Sequence, residues 1–394
     1  MLSLLKTTGI PADGAAVSLA SCPGKPFFLQ HDYVKKYWTL AALPEDKLEL
    51  TLEFADMIQE NERFRMLAWH IYRYFNLRPM GQIKVDEFPD IIEELGEKSG
   101  ILYLLIGLSM IPGFIARAER ENFPVRYAEA GAERIGTVTC FYAQMYNGAF
   151  GVRPRSLLFP VHYRETATWR IGRFDFVISR ADNTIPEVYR KGDALVAFCA
   201  DGVPLKSNND RAFTAEETVR ITCVTAENGK VTGTPIDFNT GLAMAEELTI
   251  DLADGWEKVA GPGDWTLFFH IPGGGGMKPE LCRESFKEAL EFFKSYCPEK
   301  TFRMIWSASW IFNPAWNELL PNSNITALIK AGHLFPAFSA NNPGLYFVFG
   351  RNDGDISEFT AVNSVEKAVL QCYKENRLRR VGWFMLNIPD TAQK

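Results

Sequence analysis

The hydrophobic pattern of the chain changes period near Trp169, and that change restricts the possible folds more than any other feature. Before it, apolar residues recur at helical spacing: Leu48, Leu50, Leu52, Phe54, Ala55 and Ile58, then Phe64, Leu67, Ala68, Ile71 and Phe75. Pro79-Met80-Gly81 interrupts the series. Beyond it the spacing predicts a short amphipathic piece at Phe88, Ile91, Ile92 and Leu95, an apolar helix over 101–116 and a further helix over 127–146. After the change, aromatic and β-branched residues alternate with polar ones, so strands are expected at 169–178 and 194–198. Two more, at 219–225 and 230–234, flank Asn228-Gly229, a hairpin dipeptide.

The last third alternates in kind. A strand at 265–270 runs through Gly273, Gly274, Gly275 and Gly276 into a helix at 279–296 headed by Pro279. Strands at 302–306, 345–349 and 381–386 then alternate with helices at 314–319 and 364–374. The expected fold class is therefore α+β: a helical N-terminal domain over 1–150, then a mixed α/β domain over 151–394. A length of 394 residues agrees with two or three domains of about 100–200 residues each.

Charge and cysteine usage remove several function classes. The formal net charge is −6, so no basic excess points to nucleic acid or to an anionic membrane surface. The apolar run at 101–116 is shorter than the roughly 20 residues a bilayer needs, and Pro112 and Gly113 break it; a buried core helix is the expectation. The start of the chain shows no secretory-signal pattern, and the cysteine usage fits reduced thiols, so a cytoplasmic location is expected. The cysteines at 22, 140, 199, 223, 282, 297 and 372 are odd in number and widely spaced, with no C-x-x-C; neither a disulfide framework nor a metal site is suggested.

One segment could hold chemistry. A strand that opens through glycines onto a helix N-terminus presents bare backbone N–H groups, and the helix end carries about half a unit of positive charge. The residue before Pro279 is Lys278, not a side-chain cap, so the first-turn donors are available to an anion, with Lys278 and Arg283 adding charge and Glu280 opposing it. The spacing matches neither a nucleotide P-loop nor G-x-G-x-x-G. A plain flexible turn is the other reading of these glycines. His270 has the intrinsic pKa of a general base or acid, against the reading of a structural histidine bonding the loop. Ser307 and Ser309 at a strand end are candidates to touch substrate or donate to sulfur. Cys282 lies on the apolar helix face and is read as core. Asn322-Ser323-Asn324 and Asp353-Gly354-Asp355 are read as turns, and Arg170 and Arg173, an odd number apart on one strand, should face opposite sides.

The segment from Phe269 through His270-Ile271-Pro272, the glycines, Met277-Lys278-Pro279-Glu280-Leu281-Cys282 and on to Ser285 resembles one in bacterial acyltransferase-domain proteins. Those proteins have an N-acyltransferase N-terminal domain followed by a GNAT-like C-terminal domain. Arg170-Ile171-Gly172-Arg173-Phe174, Ser309-Trp310-Ile311-Phe312-Asn313-Pro314, Leu319-Leu320-Pro321-Asn322-Ser323-Asn324-Ile325, Phe347-Val348-Phe349-Gly350 and Gly382-Trp383-Phe384 extend the similarity over about 169–384. The resemblance implies a GNAT-like fold with a splayed central strand and a glycine loop that binds the pyrophosphate of coenzyme A. It further implies transfer of an acyl group from an acyl-CoA or carrier thioester to an amine. Gly273, Gly274, Gly275, Gly276, Lys278 and Arg283 would then bind the thioester, with His270, Ser307 and Ser309 as the catalytic candidates. Two departures are visible: His270 stands where the wider superfamily has Gln or Arg, and Trp316 stands where many members keep an acidic tyrosine. The competing expectation is a non-catalytic binding or scaffold protein on a degenerate GNAT-like fold.

Overall fold

The computed structural model describes residues 5, 7–166, 168–338, 344–350 and 356–387. The chain divides into two compact units. One comprises Met1–Ile171 with Pro272–Gly274, the other Gly172–Ile271 with Gly275–Lys394.

The first unit is helical apart from one terminal strand. Its helices are α1 (Ala15–Ser21), α2 (His31–Leu40), α3 (Leu48–Glu60), α4 (Glu62–Leu77), α5 (Ser99–Leu108), α6 (Ile111–Arg120), α7 (Val125–Thr137), α8 (Thr139–Met145) and α9 (Leu158–Glu165). The apolar faces expected at 48–58 and 64–75 are the buried faces of α3 and α4. Asn61 separates these helices and caps α4, its side-chain oxygen accepting from the N–H groups of Arg63 and Phe64. Every residue of α5 is buried, as expected for a helix apolar on all sides. The apolar stretch 99–120 is long and apolar enough by composition to cross a membrane, and it serves here as the core of this unit. The chain turns at Ser109-Met110, with Pro112 in the first turn of α6, so the single helix expected at 101–116 is two. The helix expected at 127–146 likewise divides at Val138 into α7 and α8.

The amphipathic piece at 88–95 is not helical. Ile92 bridges Gly96, and the Ser99 hydroxyl takes the Ile92 N–H at 2.8 Å, so local side-chain bonding wins over a turn of helix. Strand β1 (Thr168–Ile171) completes the unit. Buried Arg117 donates to the carbonyls of Tyr163, Thr166 and Thr168, and its guanidinium lies 3.9 Å over the Trp169 ring.

The second unit is built on a mixed sheet. Its strands of three residues or more are β2 (Phe174–Arg180), β3 (Glu187–Lys191), β4 (Ala194–Phe198), β5 (Thr225–Glu227), β6 (Lys230–Gly233), β7 (Leu248–Asp251), β8 (Glu257–Ala260), β9 (Trp265–His270), β10 (Phe302–Ser309), β11 (His333–Pro336) and β12 (Val381–Leu386). The helices are α10 (Pro279–Tyr296), α11 (Trp316–Leu319), α12 (Asn324–Lys330), α13 (Leu345–Phe349) and α14 (Ser364–Lys374). The main sheet of this unit runs β2-β9-β10-β12-β11. Only β9 and β10 pair in parallel, because α10 carries the chain back between them; every other neighbour is antiparallel.

Two layers cover the sheet. On one face Phe286 of α10 stacks on Phe174 (5.0 Å) and Trp383 (5.6 Å). On the other, Met304, Phe335 and Phe384 pack on Val188, Ala197 and Ala260 from the smaller β3-β4-β8 sheet. Asn228 and Gly229 form the expected hairpin between β5 and β6 with φ of +50° and +77°.

Four expectations change here. Residues 169–178 form two strands, since Gly172 turns the chain at φ +56° and places Arg173 in the turn. Arg170 and Arg173 therefore do not share a strand. The run 219–225 is strand only at Arg220–Ile221 and from Thr225. Residues 345–349 are helix α13 and not a strand; Gly344 and Gly350, at φ +104° and +78°, close both ends of a run too short for its period to distinguish the two. The turn expected at Asn322-Ser323-Asn324 is present and leads into α12, where Ser323 accepts from the Thr326 N–H. Asp353-Gly354-Asp355 lies outside the described residues.

Two outcomes follow for stability. An added Cβ at Gly100 would lie 2.5 Å from the buried Tyr142 ring, whose hydroxyl accepts from the Gly100 N–H, so Gly100→Ala should destabilise by about 1–3 kcal/mol in urea unfolding. Buried His70 bonds Pro11 O (2.8 Å) and Ser18 Oγ (3.0 Å), and burial lowers its pKa, as it does for His162 and His333. The unfolded chain then binds more protons than the folded one, so stability is complete above the usual 6.5 and declines as pH falls through it. His70→Gln should flatten the difference between urea midpoints at neutral and mildly acid pH.

Candidate functional site

The site forms where β9 and β10 part. Their parallel register runs Trp265↔Phe302, Thr266↔Met304, Leu267↔Ile305 and Phe268↔Trp306, and stops there. Each strand continues with its other neighbour. β9 pairs β2 through His270↔Asp175, and β10 pairs β12 through Ser309↔Val381. Beyond Phe268 and Trp306 the facing edges of β9 and β10 thus carry backbone groups with no partner in the other strand.

Aromatic packing holds the opening. On the α10 face, the Phe269 ring lies 5.2 Å from Phe286, 5.6 Å from Trp383 and 6.2 Å from Phe312. Trp383 is fixed by its indole N–H, which donates to the carbonyls of Leu328 and Ile329. On the opposite face Phe268 meets Trp306 edge-on at 4.7 Å, and the Trp306 indole N–H donates to Thr266 Oγ1 at 3.1 Å. Neither of these two faces was identified from the sequence as part of a site; a tryptophan in the middle of a strand reads as core until its register is known.

β9 then enters the glycine segment. Gly274, Gly275 and Gly276 have φ of +73°, +66° and +66°, a left-handed run that residues with a Cβ resist. All four glycines are exposed, and a Cβ at Gly274 or Gly276 would meet nothing within 4 Å. Gly273 and Gly274 belong to the first unit; Gly275 and Gly276 belong to the second. Buried Arg173, in the turn before β2, donates from Nε to the Gly276 carbonyl and anchors the segment where it enters α10. That role was not legible in the sequence, because it depends on the turn at Gly172.

Helix α10 starts without a side-chain cap, as expected, with Lys278 at the N-cap and Pro279 next. Lys278 is exposed. Arg283 is exposed too and pairs with Glu280 at 3.5 Å, one turn along the same helix. Cys282 faces the core, and burial raises its thiol pKa, so it has the environment of a packing residue and not of a nucleophile.

The proposed catalytic residues are distributed as follows. His270 is exposed at the end of β9, its ring 4.8 Å from that of Phe268 and its register opposite Asp175. Ser307 is buried, directly opposite Trp383 in the register and so on the α10 face. Ser309 caps the turn that follows β10, its hydroxyl accepting from the Ile311 N–H at 3.3 Å. Trp316 is a core residue whose indole N–H donates to the Trp310 carbonyl at 3.0 Å. Among the described residues no three His, Cys, Asp or Glu side chains are grouped to hold a metal ion.

A central pair of parallel strands that separates beside a glycine loop and an uncapped helix is the arrangement of a GNAT-like fold. Residues 168–384, more than half the chain, match the GNAT-like C-terminal domain family, and the chain belongs to that family. No match was found among curated proteins. Among solved structures, the chain is similar to an acyltransferase in complex with decanoyl-CoA and teicoplanin, with 18% identity, 98% of each chain covered and a TM-score of 0.61. It is also similar to an acyltransferase in complex with CoA and 10C-teicoplanin, with the same identity and coverage and a TM-score of 0.62. At that identity the likeness establishes the fold, over both units.

The left-handed run has a measurable consequence. Gly276→Ala meets no steric obstacle, so its cost should be the φ penalty alone, about 1–2 kcal/mol in chemical denaturation. A cost near zero would mean that the segment does not hold this conformation in solution.

Proposed function

We propose that this protein moves an acyl group from an acyl-CoA to an amine. The observation that carries the reading is the end of β9–β10 pairing at Phe268 and Trp306, beside the exposed glycines and the uncapped start of α10. The opening is bounded by strand edges able to bond the amide groups of an extended pantetheine arm. The bare amides at the start of α10 and the Lys278 ammonium suit a pyrophosphate. The complexes of the similar acyltransferases with decanoyl-CoA and with CoA support the same assignment.

The thioester supplies an activated carbonyl, and the residues of this chain direct what happens to it. In this scheme a backbone N–H at the parted edge bonds the carbonyl oxygen as charge develops there. The amine nitrogen attacks the carbonyl carbon, the C–S bond breaks, and sulfur leaves with the electron pair. His270, exposed at the end of β9, accepts the proton lost by the amine and returns one to the thiolate. In this scheme Ser307 acts by packing, since it sits on the buried face, and Ser309 by shaping the turn it caps. Buried Trp316, in place of an acidic tyrosine, favours the other reading, a non-catalytic binding or scaffold protein on a degenerate GNAT-like fold.

Thermal unfolding with acetyl-CoA at 100 times its dissociation constant should gain about 2.7 kcal/mol. Gly276→Val with Lys278→Glu should remove that gain. His270→Gln should retain it while lowering turnover with an amine by about 100–10,000-fold. Absence of any gain with acetyl-CoA or free CoA would defeat the reading and favour the binding or scaffold protein instead.

A further inference from the structure

The opening has two sides, and they differ. On the α10 side the first residue past the last pair, Phe269, is fully buried among Phe286, Phe312 and Trp383, so that side is filled. On the opposite side the last pair itself, Phe268 and Trp306, is only half-buried, and the next residue on β10 in that direction is Ala308. Ala308 is paired across the sheet with Gly382, and the Phe335 ring lies where a Gly382 side chain would be, 2.4 Å from an added Cβ. On this face of the sheet Ala308 carries only a methyl and Gly382 no side chain, and the rings that border them are Trp306 and Phe335, 6.3 Å apart.

Trp306 is the movable part of this barrier in sequence space and the fixed part in structure. Its indole is tied to Thr266 Oγ1, which also bonds Ser179, and its ring lies over the core formed by Met304, Phe335 and Phe384. Removing the indole would uncover the apolar side chains it packs on, a surface suited to a hydrocarbon tail.

We propose that Trp306 limits the length of the acyl chain, so that the site accepts short chains from acetyl to butyryl and rejects octanoyl and decanoyl. The proposal rests on the acyl-CoA reading above and adds the substrate class to it. An acyl group held at the parted strands cannot extend toward α10, where Phe269 closes the way. It extends over Ala308 and meets the indole face within a few carbons.

The test is calorimetric binding of free CoA and of acetyl-, butyryl-, octanoyl- and decanoyl-CoA to the full chain, each variant first checked for a cooperative melting transition. In the unmodified protein, acetyl- and butyryl-CoA should bind at least about tenfold more tightly than decanoyl-CoA. Trp306→Ala should raise octanoyl- and decanoyl-CoA affinity by about tenfold or more and leave free CoA unchanged. Ala308→Leu acts in the opposite sense: it should weaken butyryl-CoA against acetyl-CoA, and it decides the matter if Trp306→Ala does not fold. Decanoyl-CoA binding as tightly as acetyl-CoA in the unmodified protein would overturn the proposal. So would an unchanged chain-length order in the folded variants while free CoA still binds, which would leave the acyl-CoA reading intact. Failure of free CoA to bind would remove both.

Discussion

The second unit depends on a single backbone event, the loss of pairing between two parallel strands after Phe268 and Trp306. A sheet does not open in its middle without compensation, because each exposed N–H and C=O costs free energy when nothing satisfies it. Compensation comes from both neighbours. β9 is held by β2 to its last residue and β10 by β12 to its last residue, so each strand is anchored on its outer edge while its inner edge separates. The aromatic layer under Phe269 then keeps the two ends from collapsing together, with Phe312 and Phe286 stacked on opposite contacts of Trp383 at 5.7 and 5.6 Å. The result is an opening between the inner edges of β9 and β10, backed on the α10 side by buried rings.

The glycine segment and α10 are read differently with that opening in view. Taken alone, four consecutive glycines match many patterns and carry little information. Their position at the end of one of two diverging strands, with three left-handed residues in a row, is what the proposed pyrophosphate site rests on. Arg173 contributes by fixing the Gly276 carbonyl, which leaves the N–H side of the segment to point elsewhere. Charge adds less than the residue list suggests. Arg283 is already paired with Glu280, and both are exposed, so Lys278 is the cation better placed to act near the helix start.

Helices of the first unit were legible because their faces repeat over several turns, as for Leu52, Ala55 and Ile58 or Leu67, Ile71 and Phe75. Long elements with clear terminators were equally legible: α10 has Pro279 at its start, and the hairpin at Asn228-Gly229 has the dipeptide its turn requires. Short apolar runs were not. Leu345–Phe349 has the composition of a strand and the conformation of a helix, because flanking glycines decide the direction of the chain at both ends. The 169–178 run looked continuous because Gly172 is the sole mark of its turn. In the candidate site, His270, the glycines and Lys278 could be named from the sequence, whereas Trp306, Ala308 and Arg173 could not. Their relevance rests on pairing partners far away in the chain.

What the sequence by itself determined was local: the order of helical and extended segments, the change of period near Trp169, the strand–glycine–helix corner and the residues of that corner that carry charge or a proton. Those properties depend on neighbours within a few turns or a few strand residues, and so they are written in spacing and composition. Tertiary structure alone decided where the pairing of β9 and β10 ends, which face Ser307 takes and which side of the opening is closed. Each of these depends on register between strands separated by tens of residues and on ring packing across the sheet, and a shift of one residue would reverse every face.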